Sequence, residues 1–400
     1  MTIDTTATPN TAPNAEKRTA LYAEHEALGA SFTDFGGWQM PLKYGSELAE
    51  HRAVREAAGL FDLSHMGEVW ATGPDAGAFL DYALVGKLST IAVGKAKYSL
   101  ICAEDGGIID DLIVYRVAEE GFLVVPNAGN APTVAAEFEA RLAAFAASLG
   151  ADAGVTLRDA SAETSLIAVQ GPNAESILLA LVPAERAEAV TGLKYYAAIE
   201  VEVAGVPVLL ARTGYTGEDG FELFVANGRA AELWAAIRAA GEGRDLVPCG
   251  LASRDSLRLE AGMPLYGNEL SRDVTPFEAG LGGVVALKSK DGDFVGGTAL
   301  QRAARVGESV DGAGTTSGKR LVGLRGLGRR AGRSHYPVLK DGQAIGEVTS
   351  GQPSPTLGYP IALAYVAVEH SAVGTRLDVD LRGKAEPFEV VALPFYKRAK

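Results

Sequence analysis

Asp111 stands inside the apolar run IIDDLIVYRV, where strand propensity and burial both disfavour an aspartate. At a strand's two-residue period, Ile109, Asp111, Ile113 and Tyr115 share one face, and Asp110, Leu112, Val114 and Arg116 share the other. One carboxylate therefore points into whatever the sheet covers, where it could stabilise positive charge or move a proton. Alternatively, Gly106-Gly107 just upstream leaves the pair at a hairpin end in water. A second group is GYTGEDGFEL, residues 214–223. Its glycines permit a close backbone approach, bringing Tyr215 in the turn and Glu222 on the next strand together as an aromatic plate and a carboxylate. A plain Gly-rich hairpin fits the same pattern. The third is RDSLRLEAGMPLYGNEL, residues 254–270, in which Arg254 and Arg258 share a helical face and Asp255 and Glu260 can offset their charge. That arrangement suits an anion site or a salt-bridge network. The fourth, FDLSHMGEV (61–69), sets Ser64 beside His65 without the G-x-S-x-G elbow of a serine nucleophile. A packed structural histidine is the plainer account.

The elements that must hold these groups are legible from periodicity. Residues 18–29 and 46–58 have helical spacing, the second running from Ser46 to Gly59, and the Gly/Pro-rich segment between them is not helical. Residues 97–126 read as a three-stranded meander with turns at 104–107 and 119–121. Helices are expected at 131–149, 173–181, 228–241 and 250–261, with strands at LIAVQG and VPVLLAR. Residues 305–319, RVGESVDGAGTTSGK, read as a linker, and 320–400 as a small all-β domain of alternating segments between Gly turns. Residues 1–17 read as a mobile tail and 18–304 as one large α+β unit.

Composition narrows the function. The net charge of −13 gives no general means of holding a phosphate backbone, so nucleic acid is not an expected partner. No apolar stretch is long enough to span a membrane. Two distant cysteines, Cys102 and Cys249, exclude a disulfide framework and suit a reducing compartment. The tail carries neither the apolar core of a signal peptide nor the repeated Arg of a presequence, so a cytoplasmic location is expected. The five histidines are scattered without metal-ligand spacing, and no metal is expected. GAGTTSGK (312–319) has the wrong glycine spacing for a phosphate-binding loop and no hydroxyl after Lys319, so no nucleotide is expected either. Arg325, Arg329, Arg330 and Arg333 form a basic run that is either a solvated loop or a contact for an anion or partner.

Taken together and in order, FGGWQMPLKY, FDLSHMGE, GGIIDDLIVY, VQGP, RTGYTGEDGFEL, RDSLRLEAGMPLYGNEL and GEVTSGQPSPTLG resemble the aminomethyltransferase (T-protein) family of the glycine cleavage system, from about Arg18 to the C-terminus. The resemblance implies two intertwined α+β subdomains and a C-terminal β-barrel around a central folate channel. It also implies a tetrahydrofolate-dependent enzyme, acting as a monomer, that takes an aminomethyl group from the dihydrolipoyl arm of the lipoylated H-protein. Ammonia is released and 5,10-methylenetetrahydrofolate is formed. By motif position the catalytic acid maps to Asp111, the pterin-binding glutamate to Glu222 and its arginine to Arg254. Tyr98, Asn127, Tyr195, Tyr215 and Met66 map to the channel lining, and Asp110 to a structural role. The chain departs from its relatives at Leu281-Gly282-Gly283, where many carry Leu-x-Trp. Two related readings stay open here: a folate-dependent demethylase, and a non-enzymatic folate-binding factor of iron–sulfur maturation. The latter's cysteine motif is replaced here by GYTGEDG.

Overall fold

A computed structural model describes residues 16–150, 152–290, 292–310 and 318–398, without the side chains of 305–310. Its core is a pair of facing sheets. The first contains the strands Lys95–Cys102, Ile108–Ala118, Gly121–Pro126, Val69–Thr72 and Thr156–Asp159, in that spatial order and antiparallel throughout. The second runs Ala198–Val203, Val206–Ala211, Gly220–Ala226, Thr164–Gln170, Ala58–Asp62 and Leu246–Pro248, with a parallel pair at its last edge. The chain enters the second sheet at Ala58–Asp62, crosses to build the first, and returns at Thr164, which intertwines the two units.

Each sheet has its own outer core. Phe79, Leu80, Phe138 and Phe145 from the helices Ala76–Ala83 and Ala131–Leu149 cover the first. Ile177, Leu178, Leu233, Trp234 and Ile237 from Ala174–Leu179 and Asn227–Gly241 cover the second. The helix Ala131–Leu149 starts with proline in its first turn and stops at Gly150, whose φ of 67° is the left-handed closing residue that glycine adopts without steric cost. The inner faces meet through Phe61, Leu63, Tyr115, Leu123, Leu166 and Phe224.

The expected meander is present, with one correction. Ile101 pairs with Asp110 and Cys102 with Ile108, so Ile109 is the extra residue of a bulge. It turns to the outer core with Leu112 and Val114 instead of sharing the Asp111 face.

After the sheets, Leu251–Glu260 is the expected helix. The strands Lys319–Gly326, Pro337–Lys340, Gln343–Pro353, Pro360–Ala367, Arg376–Asp380 and Ala385–Val391 close into a barrel. Leu324, Val338, Val348, Val366, Val379 and Phe388 fill it. Two boundaries differ from the sequence reading. Helix Gly297–Val310 runs into the segment read as a linker, because Leu300 and Ala303 seat its first turns in the core and each further turn then adds hydrogen bonds. At the other end, Lys17 pairs with Trp38 and so belongs to the folded chain. The rest of the tail through residue 15, and residues 311–317 with most of GAGTTSGK, lie outside the described residues. Among the described residues, no helix is long and apolar enough to cross a membrane.

Candidate active site

At one end of the layer between the sheets the side chains part to leave a cavity of about 280 Å³. The strand Ile108–Ala118 contributes Asp111, Ile113 and Tyr115 to its wall, and Gly220–Ala226 contributes Glu222 from the opposite sheet. Leu63 and Met66 follow the buried strand Ala58–Asp62, Arg254 reaches in from the helix Leu251–Glu260, and residues 262–266 complete the lining.

Asp111 is half-buried and held on both oxygens. Tyr98 Oη donates to Oδ2 at 3.0 Å and Asn127 Nδ2 to Oδ1 at 2.8 Å. The same amide reaches Asp110 Oδ1 at 2.8 Å, and the Asn127 backbone N–H donates to Asp110 Oδ2 at 2.8 Å. Asn130 Nδ2 completes the Asp110 set. Asp110 is therefore sealed in a hydrogen-bonded nest while Asp111 faces the cavity. Burial pushes both acids up: Asp111 above the usual carboxylate range against the lowering pull of Tyr98 and Asn127, and Asp110 to about 7, by burial and then by its neighbour's charge.

Glu222 is also buried, and burial raises its pKa against the pull of Thr213, Arg254 and Tyr115. Thr213 Oγ1 and Tyr115 Oη both donate to its Oε2. Tyr215 occupies the turn ahead of this strand, its hydroxyl donating to the Pro264 carbonyl and its ring 4.4 Å from the Arg254 guanidinium carbon. A Cβ on Gly214 would lie 2.0 Å from Gln170 Oε1, so only glycine lets the chain make this turn.

Seven of the eight expected site residues thus meet in one cavity: Asp111, Glu222, Arg254, Tyr98, Asn127, Tyr215 and Met66. Tyr195 does not. It is 51% exposed and lines a separate groove with Arg212 and Asp219. The next residue, Tyr196, takes the cavity position with φ of 57°. This left-handed residue reverses the chain and sends adjacent tyrosines to opposite sides. Tyr196, Tyr266 and Leu166 also line the cavity, and the tyrosine doublet is the one sequence signal that points to any of them.

The decoys also resolve. Ser64 Oγ accepts the Leu166 N–H, and His65 packs edge-on against Phe35. Burial and then the nearby Arg254 push His65 down to about 3, so it is neutral. Arg258 pairs with Glu269 and Asp255 and donates to Ser350 of the barrel, the salt-bridge reading of that motif. At the divergent Gly283 a Cβ would meet nothing within 4 Å, so the missing tryptophan leaves open space, not a packing defect.

This arrangement offers a slot with apolar and aromatic plates and a carboxylate from each of two facing sheets, one guanidinium nearby. It suits a flat ligand rich in N–H donors that acquires positive charge. Residues 21–289 match the family described as the GCVT N-terminal domain, and 319–397 the glycine cleavage T-protein C-terminal barrel domain. The chain is 57% identical over 388 residues to the aminomethyltransferase of Streptomyces avermitilis, covering 97% of this chain and 99% of that protein. It is 54% identical over 387 residues to that of Cutibacterium acnes, covering 96% and 99%. The crystal structure of the glycine cleavage system aminomethyltransferase T from Bartonella henselae matches with a TM-score of 0.84 at 36% identity, over 96% of this chain and 99% of that one. The chain belongs to the glycine cleavage T-protein family. It is an enzyme, an aminomethyltransferase of the glycine cleavage system.

Proposed function

We propose that the cavity binds tetrahydrofolate and that the enzyme transfers to it the one-carbon unit carried as an aminomethyl thioether on the dihydrolipoyl arm of H-protein. Ammonia leaves, the reduced arm is returned, and 5,10-methylenetetrahydrofolate forms. The observation that carries this reading is the pair of carboxylates, Asp111 and Glu222, brought into one slot from two facing sheets. Tetrahydrofolate supplies two nucleophilic nitrogens to bridge. Glu222 accepts N–H groups of the pterin, Arg254 balances the charge, and Met66, Tyr196 and Tyr215 cover the ring faces. Asp111, fixed by Tyr98 and Asn127, orients the reacting nitrogen, stabilises its developing positive charge and accepts its proton. The folate-binding unit is read as residues 18–304, extended at its ends by Lys17 and by the helix Gly297–Val310, and the barrel as 320–400. The two free, buried cysteines suit a cytoplasmic setting, in which the chain works as a monomer with H-protein. Of the two related readings, the maturation factor loses support because Cys102 and Cys249 are both buried away from the cavity wall.

The test is release of ammonia from aminomethylated H-protein, measured with and without tetrahydrofolate. Strong stimulation by the folate, with methylenetetrahydrofolate as product, is expected. Equal rates in both arms would refute the reading.

A further inference from the structure

Two walls of the cavity, the turn 214–217 and the segment 262–265, lie outside helices and strands, and the turn must hold Tyr215 in register with Arg254 on the neighbouring helix. One side chain outside the cavity ties them together. Arg55, on the helix Glu47–Glu56, has a side chain only 5% exposed. Its Nη1 donates to the Thr216 carbonyl at 2.7 Å and to Glu218 Oε1 at 2.9 Å, fixing the turn that carries Tyr215. Its Nε and Nη2 donate to Glu260 Oε2 at 3.1 and 2.8 Å, fixing the last residue of the helix that carries Arg254. Glu260 lies two residues before the wall segment, whose Pro264 carbonyl accepts the Tyr215 hydroxyl. Glu260 also receives the barrel: Thr356 donates its N–H to Oε1 at 3.0 Å and its hydroxyl to Oε2 at 2.8 Å, and Ser354 Oγ donates to Oε1. Tyr396 lies against the Arg55 guanidinium at 4.1 Å and donates its N–H to the Glu260 carbonyl.

We propose that Arg55 is a positioning residue of the folate site, its fork setting the distance between the Tyr215 turn and the Arg254 helix and coupling both to the barrel. This rests on the folate reading above. Only a planar fork reaches both sides. A lysine ammonium offers one donor centre and must abandon either Thr216 and Glu218 or Glu260. Arg55 touches no reacting atom and acts through the placement of Tyr215 and Arg254, so most of the effect of its loss disappears once the Tyr215 ring is gone.

The experiment is a double-mutant cycle on the full chain, with tetrahydrofolate binding measured anaerobically by calorimetry and melting curves recorded beside it. Arg55→Lys is expected to weaken affinity about tenfold in the otherwise native enzyme, and less than about twofold in a Tyr215→Leu background. In turnover the KM for tetrahydrofolate rises while kcat holds. Unchanged affinity, or an equal loss in both backgrounds, overturns the proposal, the second outcome marking general loosening of the fold. Should Arg55→Lys not fold, Glu218→Gln carries the same cycle, since it weakens the tie to the turn and leaves the Arg55–Glu260 pair intact. Native enzyme that fails to bind tetrahydrofolate refutes the folate reading itself; native binding with silent variants refutes only the role of Arg55.

Discussion

Asp111→Asn isolates charge from shape. An asparagine can accept from Asn127 Nδ2 through its oxygen and donate to the Tyr98 hydroxyl through its amide, so the two hydrogen bonds that aim the side chain survive. The substitution also removes the negative charge that helps hold Asp110 near 7, so Asp110 titrates lower and the fold loses no stability. What disappears is the interaction with developing positive charge. At about 3 Å, with about half a unit charge and an effective dielectric of about 20, that interaction is about 2.8 kcal/mol. At about 1.4 kcal/mol per factor of ten, turnover falls about a hundredfold. Loss of proton acceptance by the same group adds to this, so a hundredfold is the floor. The assay is steady-state ammonia release with saturating aminomethylated H-protein and tetrahydrofolate, beside calorimetric folate binding and a melting curve. Turnover within about threefold of native, with affinity and melting temperature unchanged, would refute the electrostatic argument. Unfolding of the variant would refute the claim that its hydrogen bonds persist.

Three further outcomes follow from the same geometry. Tyr98→Phe removes a donor that favours ionised Asp111. The acid's pKa therefore rises further, and the acid limb of the kcat/KM profile moves to higher pH; movement the other way contradicts the assignment. Glu222→Ala removes a charged acceptor worth about 1.5–3 kcal/mol to a bound N–H donor, weakening folate binding by between about tenfold and a hundredfold in calorimetry. Glu68 has both carboxylate oxygens buried without a protein partner, and burial, then Asp159, pushes it from 4.5 up to about 9. The folded chain thus holds this proton more tightly than the unfolded one, so native stability falls as pH rises through that window, by at most about 1.4 kcal/mol per pH unit. Glu68→Gln abolishes the slope, and its advantage in melting temperature widens from about pH 5.5 to about pH 8.5; a constant gap would contradict this.

Local patterning was enough to find the meander, the helix Ala131–Leu149 with its Pro start and Gly stop, and the alternating segments of the barrel, because each repeats a period that its own residues fix. It also singled out Asp111, since an acid in an apolar strand is conspicuous before any contact is known. It failed where long-range contact overrode local signal. Ala58–Asp62 is a short, fully buried strand with no alternation to read. The bulge at Ile109 reversed a face, and the positive φ of Tyr196 exchanged two neighbouring tyrosines between cavity and surface. The types of the site residues and the elements bearing them belong to the sequence. Their meeting belongs to the tertiary structure: Asp111 and Glu222 sit more than a hundred residues apart on different sheets, and only the packing of those sheets, face to face around an incompletely filled layer, sets two carboxylates across one cavity. No local period can specify that distance, because it depends on side-chain volumes contributed from both sheets at once.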